Sequence, residues 1–292
     1  RIPEAEANCR EHLKSAPADV SAIRLLAEIG IKVGQFGDAE NLLSRCLELA
    51  PGFTFARYNY AFVLTRQSKF ENAIQELDHL LALDGDNPNY HVLKAASLVR
   101  LGDFAPAIEI YERLLEDRPH QPKIYLSYGH ALKTVGRQEE AVAAYRTAIE
   151  QAPDLGEAYW SLANLKTVTL SCTEMAQMET ALAQPGLTPE DAAQLSFALA
   201  KAHEDRGAED KDAYDRAFRH YAEGNEVRRR QSAYSAEAQE AKTRRSISLM
   251  SKDFFAERAG MGHDAPDPIF IVGLPRAGST LLEQILASHS AV

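Results

Sequence analysis

Five alanines, Ala5, Ala39, Ala73, Ala107 and Ala141, stand at a constant interval of 34 residues. Gly34, Ser68, Gly102 and Gly136 keep the same interval, and so do the pairs Pro17/Pro51 and Pro119/Pro153. A fixed period of this length leaves few folds open. It holds two short helices and their turns, and one such pair cannot bury its apolar face alone, so successive pairs must stack. The small residues mark the close approaches. Gly129, with Ala27, Ala61 and Ala95 at the equivalent positions, lies where two helices of a pair cross, and the alanine row fills the facing position on the second helix. Gly102 and Gly136 stop the first helix, where a left-handed residue is needed. The prolines follow the second helix, which they cannot continue.

The clearest unit runs Tyr125, Tyr128-Gly129, Leu132, Gly136, Ala141, Tyr145, Pro153. It resembles the tetratricopeptide repeat, with aromatic or apolar substitutions at the template positions. Residues 1–17 align with the second helix of an earlier unit, so the chain opens in mid-repeat. Four full units follow at 20–53, 54–87, 88–121 and 122–155, and a fifth begins and loses the pattern near Thr167. In the second, Gly85 replaces the terminal proline and Asp84-Gly85-Asp86-Asn87-Pro88 makes a more open turn. The expected fold of residues 1–167 is mainly α. It is a solenoid of antiparallel helix pairs with a right-handed superhelical twist.

Residues 168–259 stay helical with less regular signals. Ser171-x-x-Glu174 is a capping box. Thr188-Pro189-Glu190-Asp191 combines a cap residue, a proline at the first helical position and acids in the first turn. Further helical patterns cover 212–231, 236–250 and 252–259, and residues 260–267 read as a linker.

The last stretch, Pro268 to Val292, changes character. Ile269-Phe-Ile-Val272 is apolar and rich in β-branched residues, which reads as a buried parallel strand. Without neighbouring strands in this chain it is expected to be poorly held, with few ladder bonds and an exposed apolar patch around Phe270. Gly273-Leu-Pro-Arg-Ala-Gly278 is a flexible turn, and Ser279-Thr280 opens an amphipathic helix. Strand, glycine turn and helix N-terminus together bind phosphate-like anions through free N–H groups and the helix dipole. Gly273 and Gly278 have Walker A spacing, but Ser279 stands where that motif needs lysine. The cation is Arg276, inside the loop, and its planar fork suits an oxyanion.

PIFIVGLPRAGSTLLEQILASH resembles the 5′-phosphosulfate loop of sulfotransferases that use 3′-phosphoadenosine 5′-phosphosulfate (PAPS). It is most similar to bacterial sulfotransferases carrying tetratricopeptide repeats, and more distantly to tyrosylprotein sulfotransferases. The RAFRHYAEGN stretch within 212–231 extends the resemblance over most of the chain. The resemblance implies that residues 268–292 begin a truncated α/β, P-loop-like sulfotransferase domain. It also implies that Arg276, Ala277, Gly278, Ser279 and Thr280 hold PAPS as co-substrate, without a catalytic metal. The general base and 3′-phosphate site would lie beyond Val292, which leaves this chain inactive alone. Two other readings stand beside it: a repeat scaffold that only binds proteins, and a divergent P-loop nucleotide kinase.

Stacked repeats form a concave groove lined by their first helices, a place for a partner protein or peptide. Inward positions include Phe55, Tyr58, Phe62, Val92, Leu126, His130, Trp160 and Asn164, whose aromatics could grip a peptide or pack on the chain's own following segment. Lys32, Arg66 and Arg100 form a basic row at the 34-residue period. The row suits acidic peptides, such as an acceptor tyrosine flanked by carboxylates, or simply favours helix C-termini. Arg228, Arg229, Arg230, Arg244 and Arg245 read as a solvated face paired to glutamates. A net charge of −10 argues against nucleic-acid binding. No apolar run is long enough to span a bilayer. Cys9, Cys46 and Cys172 are odd in number and lack metal spacing, as do the nine histidines, so a reduced, cytoplasmic setting is expected.

Overall fold

A computed structural model describes residues 2–207, 210–263, 265 and 267–290. The chain divides into two compact units, Arg1–Ser232 and Ala233–Val292. Asp264 and Pro266 of the expected linker lie outside the described residues.

The first unit is a run of helices: α1 (Ile2–Ser15), α2 (Val20–Lys32), α3 (Phe36–Leu49), α4 (Thr54–Arg66), α5 (Phe70–Leu83), α6 (Pro88–Leu101) and α7 (Phe104–Asp117). It continues with α8 (Pro122–Thr134), α9 (Gln138–Gln151), α10 (Gly156–Ala163), α11 (Cys172–Leu182), α12 (Pro189–Asp205) and α13 (Lys211–Gln231). Local chemistry sets many of the boundaries. Asp19 accepts from the N–H groups of Ser21 and Ala22 to start α2, and Asn87 caps α6 with Pro88 behind it. The capping box of α11 is complete, with Ser171 and Glu174 bonded reciprocally. Thr188 accepts from Asp191 N–H and so opens α12.

The turn between the two helices of each pair is the same device four times. Gly34, Ser68, Gly102 and Gly136 all have positive φ, at 79°, 61°, 94° and 83°. This left-handed residue lets the next helix fold back antiparallel. Ser68 holds the conformation without being glycine.

From α1 to α10 each helix packs on the next, and contacts that skip a helix are sparse, as a solenoid requires. Ala27, Ala39, Ala61, Ala73, Ala95, Ala107 and Ala141 are fully buried at the crossings. Cys9 and Cys46 are buried as small core residues. At the fifth unit the order changes: α10 packs chiefly on α12, with α11 set against α12 as well. The second helix that α10 needs is therefore α12, and α11 is an insertion. Asp191 of α12 accepts from the Gly156 N–H at 3.0 Å and pins the start of α10. A continuous core runs from Ala95 in α6 to Ala202 in α12.

The second unit holds α14 (Ala236–Leu249), α15 (Lys252–Ala256) and α16 (Ser279–Ala287), and none of these helices has a buried residue. Residues 269–272 do not form the expected strand, and no strand occurs among the described residues. A parallel strand is held by ladder bonds to neighbours on its edges, and no strand among the described residues offers them. Phe270 and Val272 are 86% and 92% exposed.

Candidate functional site

The glycine loop is built from two left-handed residues. A turn closes where Ala277 N–H donates to Leu274 C=O at 3.1 Å. Arg276 and Gly278 on either side of Ala277 have φ of 65° and 82°. Gly278 is then the N-cap of α16, and Leu282 N–H donates to its carbonyl at 3.0 Å. No side chain caps this helix. The first N–H groups of α16 thus have no intrahelical partner and face outward at the positive end of the dipole. Arg276 is strained, because a side chain in the left-handed region crowds its own carbonyl. Its guanidinium is exposed and has no ion-pair partner among the described residues. Ala277, Ser279 and Thr280 are exposed beside it. The apolar face of α16, with Leu281, Leu282 and Ile285, is also open.

The first helices of the repeats present the other candidate surface. Leu126, expected to line the groove, is instead core, 6% exposed within the main cluster. Its position on α8 faces the neighbouring helices, where an apolar side chain gains most from burial. Trp160 on α10 is tied to Phe197 of α12, with ring centroids 5.8 Å apart, so the chain's own following segment covers it. Tyr58 of α4 pairs with Tyr90 of α6 at 5.6 Å and stays half-buried. Burial pushes the Tyr58 hydroxyl pKa up.

His130 belongs to a relay that spacing alone did not reveal. Its Nδ1 shares a 2.9 Å hydrogen bond with the Tyr145 hydroxyl, and its Nε2 lies 3.4 Å from Glu157. The bond from His130 holds the Glu157 carboxyl below its usual range. Burial raises the Tyr145 pKa, which keeps the hydroxyl protonated to donate. The relay ties α8, α9 and α10 together.

Comparison with known proteins settles the repeat class. Residues 30–96 and 98–165 match a family model described as tetratricopeptide repeat. The chain carries tetratricopeptide repeats. Residues 268–292 match a model described as sulfotransferase family. An uncharacterized protein of Aquifex aeolicus is 28% identical over 207 residues, 71% of this chain and 26% of that protein. Small glutamine-rich tetratricopeptide repeat-containing protein 2 of Mycosarcoma maydis is 32% identical over 81 residues, 28% of this chain and 23% of its own. The chain thus spans about a quarter of the length of these two relatives. Among solved structures, MamA superposes with a TM-score of 0.48 at 23% identity, covering 51% of this chain and 88% of that one. YrrB, titled as a TPR protein with an unusual peptide-binding site, gives 0.46 at 16% identity, with coverages of 72% and 97%.

In the tetratricopeptide frame two of the three members of the basic row, Arg66 and Arg100, have a structural partner, and Lys32 has no ring beneath it among the described residues. The Arg66 guanidinium lies over the Phe36 ring, 5.3 Å from its centroid, and that of Arg100 over Phe70, at 5.8 Å. Phe36, Phe70 and Phe104 each begin the second helix of a pair at the 34-residue period. That period was the signal that could have paired them with the arginines. The expected pairing to glutamates holds for four of the five arginines: Arg228 meets Glu190, and Arg229 and Arg230 both meet Glu226 in the first unit, Arg244 meets Glu240 in the second, and Arg245 has no ion pair among the described residues. The two arginine bonds hold the Glu226 pKa down at about 2. Among the described residues no cluster of acids, histidines or cysteines could hold a metal, and no helix is long and apolar enough to cross a membrane.

Proposed function

We infer that this chain belongs to a PAPS-dependent sulfotransferase whose tetratricopeptide repeats bind a partner protein or peptide. The observation that carries the reading is the pair of left-handed residues, Arg276 and Gly278, leading into the uncapped N-terminus of α16. The donor set fits a phosphosulfate: an unpaired guanidinium, two hydroxyls and free backbone N–H groups, with no acidic side chain in the Gly273–Thr280 loop.

In the reaction an acceptor hydroxyl, phenol or amine attacks the sulfur of PAPS in line. The bond from sulfur to the 5′-phosphate oxygen breaks, and that oxygen leaves with the electron pair. A base takes the acceptor proton. Arg276, the hydroxyls of Ser279 and Thr280 and the α16 N–H groups would meet charge growing on the leaving oxygen, where preorganised donors act most strongly.

Sulfuryl transfer with labelled PAPS tests this. Arg276→Ala should slow turnover by about 10²–10³ and change binding of the spent bisphosphate little. Arg276→Lys should restore only part, because a point charge lacks the fork. Wild-type turnover in Arg276→Ala removes that residue from the site. A protein that binds ATP with Mg²⁺ and ignores PAPS is a kinase instead, and one that binds neither is a scaffold.

A further inference from the structure

One cavity of the repeats is ringed by charges that do not meet. It has a volume of about 320 Å³ and lies where the α5–α6 turn faces α7. This is the turn in which Gly85 stands in place of the repeat's proline. The turn is held back onto α6, because His91 Nε2–H donates to the Gly85 carbonyl at 2.7 Å. Asn87 caps α6 and also donates from Nδ2 to Asp84 at 2.9 Å. Asp86 lines the cavity beside His91. From α7 and its C-terminal cap come Arg113, Asp117 and Arg118, together with Ile110 and Leu114, two core residues that show an apolar edge to the cavity.

None of Asp86, Arg113, Asp117 and Arg118 has an ion pair or a side-chain hydrogen bond among the described residues. Arg113 and Asp117 stand four apart on one helix, in the same order as Arg24–Glu28 and Lys201–Asp205, which do pair. All four are exposed, so water solvates their charges until a guest arrives. The signs decide which guest fits. An anion is drawn to the arginines and repelled by Asp86 and Asp117, and a cation meets the reverse. A molecule carrying both charges answers both, and a carboxylate matches the planar fork of a guanidinium. The apolar edge of Ile110 and Leu114 takes a hydrocarbon stem. The volume is at the lower end for small-molecule sites, which suits one small molecule rather than a folded partner.

We propose that this cavity binds a small zwitterion, an α-amino acid with an apolar side chain. Its carboxylate lies on Arg113 and Arg118, its ammonium group on Asp86 and Asp117, and its side chain on Ile110 and Leu114. The site is independent of the PAPS reading, because no residue of the glycine loop takes part.

The test is isothermal titration calorimetry of the whole chain with leucine, with isocaproate, which lacks the amine, and with isoamylamine, which lacks the carboxylate. Leucine should bind about tenfold more tightly than either, as expected when one charge-assisted contact is lost at a site open to solvent. In Arg113→Gln with Arg118→Gln, leucine should bind no better than isoamylamine. In Asp86→Asn with Asp117→Asn, it should bind no better than isocaproate. Glu116→Gln, on α7 but outside the cavity, should bind leucine like the wild type. All the substituted side chains are exposed, and circular dichroism melts check that every variant folds. Absence of leucine binding at about 10 mM overturns the proposal. Equal affinity for leucine and isocaproate overturns it in favour of an anion site, and equal affinity for leucine and isoamylamine in favour of a cation site. Leucine binding that persists unchanged in both double variants places the amino acid elsewhere and also overturns it.

Discussion

Two glycines show how closely the helices are set. A Cβ on Gly129 would lie 2.6 Å from the Tyr145 ring, and one on Gly156 only 2.4 Å from the Asp191 carbonyl oxygen. The consequences differ, because a ring can tilt and a helix backbone cannot. Tyr145 is fully buried and tied to His130, so even its tilt is resisted. Alanine gains up to about 1 kcal/mol over glycine in a helix, while overpacking costs about 1–3 kcal/mol. Gly129→Ala should therefore lose about 1 kcal/mol net, and Gly156→Ala more, about 2–3 kcal/mol. Urea melts would measure both, and a Gly156→Ala protein as stable as the wild type would refute the α10–α12 crossing. Gly129 was legible from its repeat position. Gly156 was not, because its obstacle comes from a residue 35 positions away, outside the period.

Among the elements, the α12–α13 pair holds the one stacked histidine couple among the described residues. The rings of His203 and His220 lie parallel within 2°, with centroids 5.6 Å apart. His203 is buried, Arg216 Nε–H donates to its Nδ1 at 3.4 Å, and its Nε2 has no hydrogen-bond partner. Burial first, then Arg216, His220 and Arg206, push the His203 pKa below 6.5, against a smaller upward pull from Glu179. Glu223 beside His220 completes the charged surroundings. The sign follows from linkage: the unfolded chain takes up this proton more readily than the folded one. The contribution of His203 is full above pH 6.5 and is lost as pH falls through its lowered folded value. Melting temperatures at pH 8, 6.5 and 5 should fall toward acid, and His203→Gln should flatten that part of the slope. An unchanged slope in the variant would assign the loss to other groups. Sequence periodicity placed α12 and α13 within a few residues of their ends, since caps and proline act locally. It could not show two histidines 17 positions apart meeting ring to ring.

At the scale of the whole molecule, the buried apolar side chains among the described residues all lie between Cys9 and Ala217. The unit Arg1–Ser232 thus contains its own core, while Ile247, Phe255, Phe270, Val272 and Leu274 of the second unit are exposed. A chain ending at Ser232 should keep the helical melt of the full chain, and it should scatter less light on concentration, because apolar patches of this kind drive association. A large drop in melting temperature would mean that residues after 232 support the repeats.

The sequence by itself determined the repeat, its period, the small residues at the crossings and the left-handed turns. These are local requirements repeated at fixed spacing, and each appears in the residue that meets it. The glycine loop was legible for the same reason: Gly278 and the helix after it need no distant partner. Tertiary structure alone decided that α12, not α11, completes the fifth pair, that Leu126 is core and that Trp160 is covered by Phe197. It also decided that Arg66 and Arg100 rest on phenylalanines of the preceding pair. Each of these depends on which surface comes to lie opposite, and a strand or an inward side chain acquires its role only from the neighbour that packing supplies.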